Sequence, residues 1–217
     1  MLTIHTADLL ITGDPRWSPM REGAILVQGR EIASVGPYEE LAAAHPSARV
    51  RRWPGLIAPG LLNPYGPELL EQAYHPDPRE AGELGTEPIM DAAALAALDM
   101  TDARWGASAR RGVQRMLAHG TVAVAGDLWR PSVADAVHRA GLTSEERFED
   151  PPGPPGLDPL AGCRSLAEAI LMPILPHEGV CADFAVFDVP DEDALVERGA
   201  GTCVATVVEG RLLYRRR

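Results

Sequence analysis

Glu22-Gly23-Ala24-Ile25-Leu26-Val27-Gln28-Gly29-Arg30-Glu31-Ile32-Ala33-Ser34-Val35-Gly36 is a pair of short apolar runs on either side of Gly29-Arg30. Two such runs separated by two turn residues read as a tight β-hairpin. Toward the N-terminus, residues 2–12 read as one aliphatic strand, closed by the turn signal Gly13-Asp14-Pro15. Toward the C-terminus, residues 38–45 suit a short helix stopped by Pro46, and residues 48–53 a further strand closed by Pro54-Gly55. The first 58 residues are therefore a small β unit with a little helix.

Residues 59–90 are rich in Pro and Gly, with one or two helical turns over Glu68 to Ala73. Asp91 and Thr101 have the character of N-caps. Beyond Thr101, over 102–118, Trp105, Ala109, Val113, Met116 and Leu117 recur at i, i+4, i+8, i+11 and i+12, which lines one helix face. Residues 121–125 (TVAVA) form a continuous apolar run, as in a buried parallel strand. Pro131 opens another helix, 131–140, that ends at Gly141. Residues 150–159 hold five prolines and two glycines in ten positions, a linker composition. After it come a short helix over 164–172 and strands over 183–188 and 202–208. Glu209-Gly210 turns into 211–214, and Arg215-Arg216-Arg217 reads as a frayed, solvated tail.

The 217 residues allow one good core, or one domain plus a small satellite. The net charge of −11 argues against nucleic acid or an anionic membrane as the main partner, since both select basic surfaces. All 20 basic residues are Arg, so no Schiff-base or carbamylated lysine chemistry is open to the chain. Cys163, Cys181 and Cys203 are odd in number and far apart, with no zinc-ribbon spacing, which points to a reducing compartment. The N-terminus has no basic and apolar leader pattern, and no apolar run reaches the ~18 residues of a spanning helix. These features lead us to expect a soluble, cytoplasmic protein.

Three segments together carry a resemblance. They are 22–36 with its continuation Leu56-Ile57-Ala58-Pro59-Gly60-Leu61-Leu62-Asn63; residues 105–127, ending Met116-Leu117-Ala118-His119-Gly120-Thr121-Val122-Ala123-Val124-Ala125-Gly126-Asp127; and Gly179-Val180-Cys181-Ala182-Asp183-Phe184-Ala185-Val186-Phe187-Asp188 followed by Val204 to Tyr214. In this order they resemble the metal-dependent amidohydrolases, in particular imidazolonepropionase and aminodeoxyfutalosine deaminase. The resemblance covers about two-thirds of the chain. It implies a mixed α+β fold: a composite β-sandwich built from both termini, with an inserted, truncated α/β segment like part of a TIM barrel. The expected domains are 1–58 with 180–217, then 59–149, then a Pro-rich linker with a short helix over 150–179.

The resemblance also implies where the chemistry would sit. In the family a His-x-His pair directly after the Pro-Gly-Leu-x-Asn segment holds a divalent metal that activates water. Here those two positions fall on Tyr65 and Pro67. Proline has no side-chain donor, and a phenol of pKa about 10 is a poor ligand at neutral pH. About 120 positions separate Asn63 from Asp183. A complete barrel takes roughly 200–250 residues, so the later ligand-bearing strands do not fit. No two of the six histidines stand at i, i+2 or i, i+4, and each reads as solvated or hydrogen-bonded. His75 with Asp77 and Glu80 is the nearest approach to a ligand set.

No metal and no cofactor is therefore expected. The weak catalytic candidates are Asp127, at the end of the 121–125 run, and Glu68. Tyr65, Glu68 and Asp127 are the candidate substrate contacts. Against these stand a loop or capping role for Asp127 and a helix first-turn role for Glu68. Cys163 reads as an unreactive thiol. The function expected is a catalytically inactive amidohydrolase-like binding or accessory protein, with a possible small-molecule ligand. The alternatives are an atypical hydrolase or deaminase of C–N bonds whose site is completed by oligomerisation, or a metal-independent enzyme reusing the pocket. A truncated barrel exposes edges and apolar faces. A homodimer or a protein partner is therefore expected to cover it, with helix 102–118 as the leading interface candidate.

Overall fold

The computed structural model describes residues 2–177 and 179–216. Its strands are β1 (Leu2–Thr6), β2 (Leu9–Leu10), β3 (Met20–Arg21), β4 (Gly23–Gln28), β5 (Glu31–Pro37), β6 (Arg49–Arg52) and β7 (Leu56–Pro59). They continue as β8 (Leu61–Asn63), β9 (Thr121–Ala125), β10 (Thr143–Glu145), β11 (Phe184–Phe187), β12 (Cys203–Val208) and β13 (Arg211–Arg215). The α-helices are α1 (Tyr38–Ala44), α2 (Gly66–Leu70), α3 (Ala81–Leu84), α4 (Ala92–Ala97), α5 (Asp102–Leu117), α6 (Pro131–Ala140) and α7 (Glu192–Arg198). The fold class is mixed α/β, with several sheets and no closed barrel among the described residues. The chain divides into two compact units: Met1–Leu62, Leu117–Val122 and Asp158–Arg217 in the first, Asn63–Met116 and Ala123–Leu157 in the second.

The first unit holds a four-stranded sheet, β5-β4-β1-β6, and a six-stranded sheet, β13-β12-β11-β7-β2-β3. The hairpin over 22–36 forms as the sequence predicts. β4 and β5 pair antiparallel from Gly23↔Pro37 to Gln28↔Glu31. Gly29, at the first turn position, has φ +64°, the backbone that a two-residue turn of this type demands of glycine. The second hairpin, β12–β13, turns through Glu209 and Gly210, both at positive φ.

Side chains alternate across each strand, and the central strands are buried on both faces, so they read as unbroken apolar runs. Ile57, Phe184, Val186, Ala205 and Val207 share one core with Ile25, Val27, Ile32 and Val35 of the other sheet. The opposite residues, Leu56, Ala58, Ala185 and Phe187, pack against Leu160, Leu166 and Leu195. Ala24, Leu26 and Ile4 are covered by Leu41 of α1. Each fully buried Val, Leu, Ile or Phe side chain among them contributes about 1.5–3 kcal/mol.

Several sequence expectations are corrected. Residues 2–12 are two strands. The chain breaks at Ala7-Asp8, where Asp8 Oδ2 accepts from Gly55 N at 2.8 Å. It thereby leaves the four-stranded sheet and enters the six-stranded one, with Leu9 pairing Leu56 in parallel. The 164–172 segment is a single 3₁₀ turn, Leu166–Glu168. It goes no further because Ala169 O accepts from Leu62 N at 2.8 Å and Ile170 bridges to Leu61. The tail is not frayed at Arg215 and Arg216: the first belongs to β13, and Arg216 N donates to Val204 O at 2.9 Å. Arg217 lies outside the described residues.

In the second unit the caps form as expected. Asp91 accepts from Ala94 N at 2.8 Å and Thr101 Oγ1 from Arg104 N at 3.2 Å. Trp105, Ala109, Val113 and Met116 of α5 are buried. The apolar face of this helix is thus used inside the chain, which leaves other residues on its surface. Residues 123–125 of β9 pair in parallel with β10, a short polar strand absent from the sequence reading, and α6 makes the crossover between them. Pro131 sits in the first turn of α6, and Gly141 ends it at φ +83°.

His5 is a polar side chain inside the first core. It is 2% exposed, its Nδ1 accepts from Trp53 Nε1 at 3.2 Å, and its ring meets Phe184 edge-on at 4.9 Å. Burial first, then the charges of Arg51 and Arg49, lowers its pKa from 6.5 to about 3. The folded state thus holds the neutral ring, while the unfolded chain protonates near 6.5. This contribution is complete above that value and is lost as pH falls from 6.5 toward 3. His5→Gln, which keeps an acceptor for Trp53, is expected to flatten the decline of the urea midpoint over that window; an unchanged slope would contradict the assignment.

Gly55 has φ +68°, and a Cβ there would lie 2.4 Å from Phe187 O. Gly29 has φ +64° and nothing within 4 Å. Gly55→Ala is therefore expected to cost more than about 2 kcal/mol, and Gly29→Ala only about 1 kcal/mol from the backbone alone. Urea denaturation of both variants checks the difference.

Candidate functional site

Asn63, at the end of β8, is fully buried and organises the start of the second unit. Its Oδ1 accepts from Tyr65 N at 2.9 Å, and its Nδ2 donates to Gly156 O at 3.0 Å. This Asx turn launches α2, whose first residues Gly66 and Pro67 pack under the end of β9. A Cβ on Gly66 would lie 2.8 Å from Ala125 O, and one on Gly126 2.7 Å from Pro67 Cδ. Gly126, at φ +104°, donates its N–H to Glu145 O at 3.0 Å. The glycines and the proline ring together fill the space beyond the strand end.

Arg147 is the polar centre of the region. Its Nη1 donates to both oxygens of Glu68, at 2.9 and 3.0 Å, and to Pro64 O at 3.0 Å. Arg147 and Glu68 are each 20% exposed, so solvent screens the pair only in part. Asp150 stands 3.8 Å from the same guanidinium. Glu71, nearly buried, accepts from Arg130 N at 2.6 Å and so fixes the start of α6.

A cleft of about 410 Å³ opens here, lined by Pro67, Gln72, Gly126, Asp127, Trp129, Arg147, Phe148, Glu149 and Asp150. Asp127 lies in its wall, exposed; α6 is capped by Arg130 without a side-chain bond, so Asp127 does not cap that helix. Glu68 reaches the cleft only through Arg147. Tyr65 is turned away from it, its hydroxyl donating to Pro152 O in the Pro-rich loop. That loop is tied down rather than free, through Tyr65 and Asn63. Trp129, Phe148 and Arg147 are the site residues missed by the sequence reading. Trp129 is 78% exposed and Phe148 85%, and large exposed aromatics beside a cleft are a functional signal only once exposure is known.

Residues 23–48 match the bacterial imidazolonepropionase-like composite domain. No curated protein matches the chain. Among solved structures it is similar to A. niger ochratoxinase, with a TM-score of 0.44 and 22% identity over 67% of this chain and 30% of that one. It is similar also to Helicobacter pylori aminofutalosine deaminase, with a TM-score of 0.44 and 12% identity over 67% and 33%. An adenosine deaminase from Xanthomonas campestris with bound zinc gives 0.45 and 15% over 65% and 32%. The chain thus spans about a third of the length of these proteins.

The two positions where the family resemblance puts metal-binding imidazoles do not fit a divalent ion here. Pro67 offers no donor, and its ring is packed on Gly126. The Tyr65 hydroxyl is committed to a carbonyl. Among the described residues no group of three or more His, Cys, Asp and Glu side chains is placed to hold a metal. The set suggested by spacing is dispersed. His75 is buried with Nε2 on Leu69 O at 2.8 Å, and burial lowers its pKa. Asp77 caps Arg79 N, and Glu80 bonds Tyr74 and Arg104. Cys163, whose pKa burial raises, is no activated thiol.

Arg147→Met is expected to cost about 1–2 kcal/mol, since it leaves Glu68 half-buried without its partner. It is also expected to speed limited proteolysis in the 147–157 loop. Urea denaturation and mapping of the cleavage sites test both effects.

Proposed function

We propose that this chain is a catalytically inactive, amidohydrolase-like binding or accessory protein. It keeps the family's composite β-sandwich, formed by strands from both ends of the chain, and lacks the metal-dependent machinery. The observation that carries this reading is the pair Tyr65 and Pro67 at the metal-binding positions, one bonded to the Pro-rich loop and the other packed against Gly126.

The cleft beside Asp127 is the ligand site in this reading. Asp127, Glu149 and Asp150 outnumber Arg147, whose charge is already shared with Glu68. Trp129 offers an exposed aromatic face. Carboxylates beside an aromatic favour a flat, cationic or amino-substituted heterocycle, bound by stacking and charge-assisted hydrogen bonds. Protein prepared without a metal-affinity tag is expected to hold far less than one divalent ion per chain. Asp127→Asn is expected to weaken binding of a heteroaromatic amine about 5- to 10-fold, read by tryptophan fluorescence. Near-stoichiometric zinc, iron or manganese by elemental analysis would overturn the inactive reading.

The exposure of Trp129 and Phe148 favours one further possibility: a second copy or a protein partner covers the cleft rim and completes it. In that case the site is an atypical hydrolase or deaminase site shared between subunits. Light scattering at micromolar concentration, with Trp129→Ala and Phe148→Ser as disrupting variants, separates a covered rim from an open one.

A further inference from the structure

β6 is the last strand of the four-stranded sheet, with β1 on one side and, among the described residues, no strand on the other. Its sequence is Arg49-Val50-Arg51-Arg52, and it pairs with β1 in parallel from Thr3↔Arg49 to Thr6↔Arg52. Just past it, Trp53 N donates to Thr6 O at 2.9 Å. Backbone groups along a strand turn alternately to its two sides. Arg49, Arg51 and Trp53 therefore direct theirs at β1, and the N–H and C=O of Val50 and Arg52 point out of the sheet edge. Such a row of groups is a template for one more strand.

The side chains specify the charge that strand must carry. Three of the four residues of β6 are Arg, in a chain of net charge −11. Among the described residues, neither these three nor Arg215 of β13 is ion-paired. Arg49 and Arg51 share the face of the sheet that holds His5, because strand residues two apart point the same way. Arg215 approaches from the other sheet, its guanidinium 5.6 Å from the centre of the Trp53 ring. Burial first, then the charges of Arg49 and Arg215, lowers the pKa of Arg51. Like charges thus crowd at this edge. On the opposite face, Arg52 lies 4.2 Å over the Tyr38 ring, and Val50 is 40% exposed. A second copy of β6 laid on this edge would set arginine against arginine, which opposes pairing. A strand with acids at alternate positions brings opposite charge to Arg49 and Arg51, while its backbone bonds to Val50 and Arg52.

We propose that the free edge of β6 is a docking strand for an extended acidic segment of a partner protein, which joins the sheet as an added strand. The surface lies within the first unit and is separate from the Asp127 cleft, so neither reading depends on the other.

Fluorescence anisotropy of the whole chain with the labelled peptide TEVEVET tests this, with TQVQVQT as the neutral counterpart. Saturable binding of the acidic peptide is expected, at least about tenfold tighter than the neutral one. Arg49→Gln and Arg51→Gln are each expected to weaken it about 2- to 5-fold. Val50→Pro removes an outward N–H and no bond to β1, and an edge strand accepts proline at such a place. It is expected to weaken binding at least about tenfold, while Val50→Ala stays within about threefold, because main-chain bonds carry strand addition. Amide exchange followed by NMR on the unsubstituted chain gives a second reading. Bound peptide is expected to slow exchange at Val50 and Arg52, and to change little at Arg51, which already faces β1. Equal binding of the neutral peptide, full affinity in folded Val50→Pro, or bound peptide without protection at Val50 and Arg52 would overturn the proposal.

Discussion

The antiparallel pairing of Phe184–Phe187 with Leu56–Pro59 is the constraint on which the first unit depends. It places a late segment of the chain at the centre of a sheet begun by early strands. Every residue in both strands is buried, with alternate side chains feeding two different cores. Neither segment could be removed without opening both. The hairpin tips reinforce the arrangement: Ala182 N donates to Arg30 O at 2.7 Å, and the Gly210 backbone lies so close to Gly29 O that a Cβ would reach 2.3 Å. Such pairing is distant in sequence, so loop-closure entropy opposes it until the apolar faces meet.

In the second unit the region past the strand end is filled by the chain's own groups. A barrel enzyme needs space there for a metal, a water and a substrate. Here a proline ring, two close-packed glycines and the Arg147–Glu68 pair take up the room, and the Tyr65 hydroxyl anchors a loop. Glu68 and Glu71 are held by Arg147 and by the Arg130 backbone, while Asp127 stands exposed in the cleft wall.

Much of the candidate site was hidden from the sequence for a physical reason. Tyr65, Glu68 and Asp127 could be singled out by their positions after strand-like runs, but direction could not. Asx geometry at Asn63 turns Tyr65 toward Pro152, and Arg147, arriving from β10 and its loop, claims Glu68. β10 itself reads Thr-Ser-Glu, with no apolar pattern, because its exposed side chains leave backbone pairing as its only signal.

What the sequence determined by itself is the set of local structures whose causes are local. The Gly29 turn needs a positive φ that glycine supplies, the α4 and α5 caps need Asp91 and Thr101, and α6 needs Pro131 to open and Gly141 to end. It determined, too, that positions 65 and 67 carry a phenol and a proline ring, neither of them a good metal ligand. Tertiary structure alone decided the break of residues 2–12 between two sheets, the reduction of 164–172 to a single turn, and the neutral state of His5. In each case a distant group intervenes: Gly55 against Asp8, Leu62 against Ala169, Trp53 and Phe184 around an imidazole. Interactions of that kind depend on distances in space, which local pattern does not encode.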